Sequence, residues 1–312
     1  MTSSRWILVG VLSAGLVSAC GDDDGIAMDD AGTVEDASVS GDVGETPDAP
    51  MAVDAPMGVD APTAGPTTVG GDRPTRVFTP AGYDPAVPAP LVILLHGYGV
   101  DGATQDLYFQ VTRNASARGM FALRPDGIVD GSGSRFWNAA WCCDFADVGV
   151  DDVAYLVGLV DEMKEHYNID PNRVYAMGHS NGHFMSYRLA CDAADTFTAI
   201  AGLAGSTFLD DADCTPTRPV STLHLHGTAD TTIPYEGFAG RYPSAMETVE
   251  RFAARAGCTG TEMGDDIDVE SSIVGNETDV LRHTGCDEGL SAELWSIQGG
   301  AHIPNLDRDT IP

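Results

Sequence analysis

Lysine is nearly absent from this chain. Lys164 is the only one in 312 residues, and 16 Lys and Arg face 47 Asp and Glu, for a net charge of −31. A surface that acidic repels a phosphate backbone, so nucleic-acid binding is excluded as a function, and neutral or apolar substrates suit it better than anionic ones. A long hydrophobic run is missing too. The most apolar stretch near the amino terminus, Trp6 to Ala19 after Arg5, is too short to span a bilayer comfortably and ends in small residues, as an export signal does. Val17-Ser18-Ala19-Cys20 has the form of a bacterial lipobox. Residues 1–20 are therefore expected to be a lipoprotein-type signal, with Cys20 lipidated and the protein held at the cell surface through that anchor.

Positive charge is again missing between Arg5 and Arg73. Asp22-Asp23-Asp24 and the repeats beginning at Asp48, Asp54 and Asp60, each reading Asp-Ala-Pro, cannot bury enough apolar area to offset the entropy of ordering them. Residues 21–72 are expected to be a disordered, self-repelling acidic spacer. What remains, 73–312, suffices for one large α/β domain. Strands are expected at Arg76–Phe78, Leu91–Leu95, Phe121–Arg124, Val174–Met177, Thr198–Leu203, Ser221–His226 and Glu293–Ile297. Helices are expected near Gln105–Arg118, Asp152–Tyr167, Gly182–Asp192 and Ser244–Ala256. Alternation of this kind implies a mostly parallel sheet with helices on both faces. Asp151-Asp152 read as a helix cap.

No cluster of histidines, cysteines and carboxylates has metal-ligand spacing. His224 and His226 share one face of a strand, but nothing beside them completes a site, and they read as buried, hydrogen-bonded side chains. Neither a metal nor a cofactor is expected. Apart from Cys20, the cysteines are Cys142, Cys143, Cys191, Cys214, Cys258 and Cys286, an even number that fits disulfides in an exported chain. Cys258–Cys286 is the favoured single pair.

Gly178-His179-Ser180-Asn181-Gly182 has a short strand before it and an apolar-striped helix after it. That is the setting of a nucleophile elbow, in which a strained serine stands between strand and helix and glycines two residues either side avoid a clash. A free hydroxyl is a poor nucleophile near neutral pH and needs a base. His302, in a glycine turn after the last strand, is the candidate; His179 and His183 sit too close to the elbow to fold back onto it. Asp230, after the strand ending near His226, is the candidate acid that holds the imidazole's tautomer. Serine, acid, histidine is the chain order of the α/β-hydrolases. The oxyanion donors are expected to be the backbone N–H groups of Asn181 and of Tyr98, on the loop after Leu91–Leu95, which His96 braces. Trp137 and Trp141, on an aromatic loop, and Tyr235 are candidate substrate contacts.

The run Arg124-Pro125-Asp126-Gly127, Arg135-Phe136-Trp137-Asn138, Cys142-Cys143 and Val150-Asp151-Asp152-Val153 joins the elbow, His226-Gly227-Thr228-Ala229-Asp230 and Gly299-Gly300-Ala301-His302. Together these resemble the secreted esterases grouped as polyhydroxybutyrate depolymerases and feruloyl esterases, related to carbohydrate esterase family one. The resemblance implies an α/β-hydrolase fold and Ser180, Asp230 and His302 as nucleophile, acid and base. It also implies an ester substrate, either a feruloylated or acetylated polysaccharide or a polyhydroxyalkanoate. Two features depart from the family. His183 stands where a second glycine is common, and Ile303-Pro304-Asn305 replaces the usual tryptophan-proline turn and final helix, so an apolar strip is expected to be exposed. The competing functions are a non-catalytic surface binding protein that keeps the hydrolase fold, and an acyltransferase in which an alcohol replaces water.

Overall fold

The computed structural model describes residues 65–140, 143 and 149–307. Its strands are β1 (Thr68–Val69), β2 (Thr75–Phe78), β3 (Ala89–Leu95), β4 (Phe121–Leu123), β5 (Ile128–Val129), β6 (Arg135–Phe136), β7 (Ile169–His179), β8 (Ala199–Leu203), β9 (Ser221–Gly227), β10 (Gly260–Met263), β11 (Thr278–Thr284) and β12 (Ala292–Ile297). The helices are α1 (Gly102–Phe109), α2 (Val111–Ala117), α3 (Asp152–His166), α4 (Asn181–Asp192) and α5 (Ala245–Arg255). Ten strands form one sheet in the order β1-β2-β4-β3-β7-β8-β9-β12-β11-β10, and β5 and β6 form a separate hairpin. From β4 to β12 neighbouring strands pair in parallel, and both edges continue antiparallel.

β3 shows why the centre reads as a hydrophobic run. Its alternate residues serve two cores: Leu91, Ile93 and Leu95 meet Leu156 and Leu159 of α3 and Phe184 and Leu189 of α4, while Val92 and Leu94 meet Val111 and Ala115 of α2. A parallel strand covered on both faces has no solvent side to mark with polar residues. The expected mostly parallel sheet with helices on both faces is what the chain forms.

Local chemistry moves three of the expected boundaries. One helix was expected over Gln105–Arg118, but Gln110 turns left-handed (φ 56°) and divides it into α1 and α2. The Asp106 carboxylate fixes the break by accepting from the Thr112 N–H at 2.9 Å and the Thr112 hydroxyl at 2.6 Å. Asp170-Pro171-Asn172, which carries a turn signature, lies inside β7 at an irregularity in its pairing with β3. Here the Asp170 side chain accepts from the Asn172 N–H at 2.9 Å. The spacer boundary at residue 72 falls inside the β1–β2 hairpin, which pairs Thr68 with Arg76. Gly70 N–H donates to Glu162 (2.8 Å) and the Tyr167 hydroxyl to the Pro66 carbonyl (2.6 Å), so the folded part reaches back at least to Pro66. Cys20 and the greater part of the spacer lie outside the described residues.

Asp151 caps α3 by accepting from the Ala154 N–H. Asp152 has a different task. Fully buried, it pairs with Arg73 (2.7 Å) and accepts from the Asn138 N–H (2.8 Å), tying the start of the domain and the β6 loop to α3. Asp152→Ala would strand the Arg73 guanidinium against Tyr155 and Trp137. It is expected to cost about 3–5 kcal/mol in urea unfolding; a loss below ~1 kcal/mol would reduce the pair to a surface ion pair in effect.

Cys191–Cys214 joins the end of α4 to the segment before β9, and Cys258–Cys286, the pair favoured from sequence, staples β10 to the end of β11. Cys143 is also disulfide-bonded. No helix follows His302 among the described residues. The sheet face carrying Tyr175, Met177, Ala201, Leu223 and Trp295 lines an open recess there.

Candidate active site

The elbow is built by sterics. β7 ends at His179 and α4 begins at Asn181, leaving Ser180 between them at φ 53°, ψ −122°. A side chain is strained there, and the neighbours allow it only because they are glycines. A Cβ on Gly178 would lie 2.2 Å from the Gly182 carbonyl oxygen, and one on Gly182 would lie 2.2 Å from that of Leu95. Ser180 N–H donates to the Leu203 carbonyl (2.9 Å), fixing the turn to β8.

Two loops bring the other groups to it. Asp230 follows β9 and His302 follows β12, and these adjacent parallel strands deliver both loops to the same end of the sheet as the elbow. The loops are zipped together: Thr228 N–H donates to Ile297, Ala229 N–H to Gly300, and Gly299 N–H to the Thr228 hydroxyl, at 2.9, 3.0 and 2.9 Å. Gly227 permits the approach, since a Cβ there would meet the Gly300 carbonyl oxygen at 2.2 Å. His302 Nε2 lies 3.0 Å from Ser180 Oγ, and its Nδ1 lies 2.7 Å from Asp230 Oδ2. All three residues are buried. Asp230 Oδ1 accepts from the N–H groups of Thr232 and Ile233, both at 2.8 Å. Burial alone would raise the Asp230 pKa, but hydrogen bonds from His226, His302 and Ile233 outweigh it and hold the carboxyl well below the usual range. Asp230 is therefore ionised at neutral pH.

Both candidate oxyanion residues flank Ser180. Asn181 is the first residue of α4, so its N–H has no carbonyl one turn back to bind. Its side chain is occupied: Oδ1 accepts from Trp137 N–H (2.7 Å) and Nδ2 donates to Trp137 O (3.0 Å), clamping the β6 loop against the elbow. The Tyr98 loop runs beside the serine, with a Cβ on Gly97 falling 3.6 Å from Ser180 Cβ. It is held by Gly97 N–H to Gln105, Gly99 N–H to Arg135 O and the Tyr98 hydroxyl to Asp130. His96 braces it from below. Its Nε2 accepts from Gly127 N–H (2.9 Å) and its Nδ1–H donates to Gly97 O (2.7 Å). Burial lowers the pKa of this ring to about 4, so it is neutral.

One of the aromatic substrate contacts expected from sequence is corrected. Trp137 is fully buried, and its indole N–H donates to the His96 carbonyl at 3.1 Å, so it supports the oxyanion loop from inside and has no surface for a substrate. Tyr235, half-buried, bonds Ser296 (2.7 Å) and makes a T-shaped ring contact with His226. Trp141 lies outside the described residues. His179, which no motif in the sequence marks, donates its Nε2–H to the His302 carbonyl (3.1 Å) and anchors that backbone. Nor does any motif mark Tyr108, whose hydroxyl donates to the Pro304 carbonyl (2.6 Å). Their partners lie more than a hundred residues away in sequence, so no local pattern marks them. Among the described residues no cluster of His, Cys, Asp and Glu could hold a metal ion.

The comparisons with known proteins fit this geometry. The model of the prolyl oligopeptidase family matches residues 107–248, the span that holds Ser180 and Asp230. A protein of Nocardia uniformis named as an esterase is 29% identical over 237 residues, 70% of this chain and 67% of its own length. Feruloyl esterase B of Piromyces equi is 27% identical over 72% of this chain. The bifunctional acetylxylan esterase/xylanase of Neocallimastix patriciarum is 27% identical over 76%. This chain spans only 41% and 32% of those two fungal proteins. The acetyl xylan esterase of Aspergillus awamori superposes with a TM-score of 0.55 at 14% identity, over 75% of this chain and 93% of that one, and shares the fold. Fold and site define a hydrolase of the α/β-hydrolase superfamily. Within it the chain is an esterase, distantly similar to feruloyl and acetylxylan esterases.

Proposed function

We propose that this esterase removes acyl groups, ferulate or acetate, from ester-linked decorations of plant polysaccharides, with Ser180 as nucleophile, His302 as base and Asp230 as acid. The observation that carries the reading is the unbroken chain Ser180 Oγ–His302–Asp230, at 3.0 and 2.7 Å, with the serine strained at a strand-to-helix turn. His302 Nε2 takes the Ser180 proton as Oγ attacks the ester carbonyl, and the developing oxyanion lies against the N–H groups of Asn181 and Tyr98. As the tetrahedral intermediate collapses, the sugar alcohol leaves with the proton from His302. Water then attacks the acyl-enzyme, giving its proton to His302; the carboxylic acid departs and Ser180 regains its hydrogen. Asp230, ionised throughout, supports the imidazolium at Nδ1. An export signal with a lipid anchor at Cys20 belongs to the same proposal, in keeping with the disulfides and with secretion to a polysaccharide. Single-domain architecture after an acidic spacer belongs to it as well.

Ferulate release from feruloylated arabinoxylan and acetate release from acetylated xylan are the tests, with Ser180→Ala as control. Release abolished in the variant is expected. A folded protein that cleaves short p-nitrophenyl esters but neither polysaccharide would retain the serine chemistry and rule out the substrate class.

A further inference from the structure

A second chain of buried polar groups runs away from the acid, and the triad makes no use of it. The His226 Nε2 lies 2.8 Å from the Ile233 carbonyl and 3.3 Å from Asp230 Oδ2. Its Nδ1 lies 3.0 Å from His224 Nε2, and His224 Nδ1 lies 2.8 Å from the Tyr187 hydroxyl, which in turn lies 3.3 Å from Thr222 Oγ1. Tyr187, His224, His226, Thr222 and Ile233 are all buried. Loose packing does not bring them together by accident. His183 packs against His224 with the rings tilted and their centroids 4.7 Å apart, and it fits only because Gly202 and Gly205 have no side chains; a Cβ on either would lie within 2.6 Å of it.

The directions of these bonds follow from one atom. A carbonyl oxygen can only accept, so His226 Nε2 carries a hydrogen. With the ring neutral, its Nδ1 accepts, which obliges His224 Nε2 to donate. His224 Nδ1 then accepts, and the Tyr187 hydroxyl donates to it. The hydrogen on His226 Nε2 is shared between Ile233 O and Asp230 Oδ2, the same oxygen that receives His302 Nδ1–H. Which ring nitrogen of a histidine is protonated is set by the partner of the other one.

The geometry points to Tyr187 and His224 as positioning residues for the reaction: they fix the tautomer of His226 so that it donates to Asp230 Oδ2 and holds the acid aligned with His302. The inference rests on the catalytic reading of Ser180, His302 and Asp230. None of these positioning groups touches the reacting atoms. They act through Asp230, whose orientation decides whether His302 presents a lone pair to Ser180. A wrong tautomer at the base is costly even when the geometry is intact.

The test compares kcat, KM and thermal midpoint for Tyr187→Phe, His224→Leu and His224→Gln, with Ser180→Ala alongside, on a p-nitrophenyl ester. His224→Leu is expected to lower kcat about tenfold or more with KM little changed, by analogy with the loss of an outer hydrogen-bond partner behind a metal-bound histidine. His224→Gln places an amide N–H near the lost Nε2–H and is expected to recover most of that loss. Tyr187→Phe, which keeps the ring and removes only the hydroxyl, is expected to fall between. A packing role alone lowers the midpoint in all three and leaves kcat where it was, and that result overturns the inference. Imidazole nitrogen chemical shifts of the unsubstituted protein decide it even if the leucine variant does not fold. Hydrogen on Nε2 of both His224 and His226 at neutral pH is expected, and hydrogen on Nδ1 of either overturns it. The two readings fail separately: an active Ser180→Ala sinks the catalytic assignment, whereas an inactive one beside a fully active His224→Leu sinks only the relay.

Discussion

Ser180→Ala and His302→Ala are each expected to lower kcat by about 10⁴–10⁶, and the double variant by no more than the worse of the two. The non-additivity follows from the geometry. The Ser180 hydroxyl is poised 3.0 Å from His302 Nε2, and once either partner is missing, the other has no proton to exchange and contributes nothing further. Activity that remains comes from the N–H groups at Asn181 and Tyr98 and from substrate binding. KM should change little, because neither side chain holds the substrate in its ground state. Asp230→Asn is expected to lose about 10⁴ as well, since an amide gives His302 Nδ1–H a weaker acceptor and can turn its own N–H toward the ring, imposing the wrong tautomer. Steady-state kinetics on a soluble ester settle the matter. Effects that multiply would mean that the three side chains act independently and that the hydrogen-bonded chain is incidental.

How much of this was legible beforehand differs by element. β3 could be read because burial on both faces leaves an apolar run bounded by glycine and polar residues, and β7, β8, β9 and β12 because apolar residues recur on both faces even though one of those faces lines the open recess. The elbow could be read because Gly178 and Gly182 are sterically required around Ser180. Asp230 and His302 could be proposed from chain order, each on a loop after a strand beyond the elbow; that β9 and β12 lie side by side and bring those loops together only the fold shows. The β10–β11 edge could not be read. β10 is exposed along its whole length, and β11 is fully buried only at Thr278 and Val280, so neither shows a hydrophobic period; they are strands because β12 offers an open edge to pair with. Trp137 misled for a related reason. A tryptophan among glycines looks like a pocket wall, and only the fold shows that His96 and the Asn181 side chain draw it inside. The relay behind Asp230 was visible as a pair of histidines on one strand face, but its third member, Tyr187, lies on α4.

Acid is expected to unfold this protein unusually steeply, over roughly pH 4–5.5 for a domain of ordinary stability. His96, His179, His183 and His224 are buried, and burial first and foremost lowers the pKa of each, to about 4 for His96 and about 3 for His179. Above the ordinary histidine value of about 6.5 neither the folded nor the unfolded chain holds these protons, and stability is insensitive to pH through them. Below it the unfolded chain takes up a proton at each site while the folded chain refuses it, so stability drops by about 1.4 kcal/mol per histidine per pH unit until the folded value is reached. Asp230 acts later and in the same direction. Its carboxyl is held below its ordinary value, so its contribution is full above about 3.9 and is lost only as pH falls beneath that. Urea unfolding at half-unit intervals from pH 8 to 4.5 should therefore give a nearly flat line above pH 7 and a slope near pH 5 to which these four rings contribute about four protons, with His283, whose pKa burial also lowers, adding to it. His96→Gln, with one such group fewer, should reduce that slope by one proton even though it weakens the brace under the Tyr98 loop. Equal stability at pH 7 and pH 5 would mean that these rings charge freely in the folded state, and that the hydrogen-bond directions assigned to His96 and to the Tyr187–His224–His226 chain are wrong together.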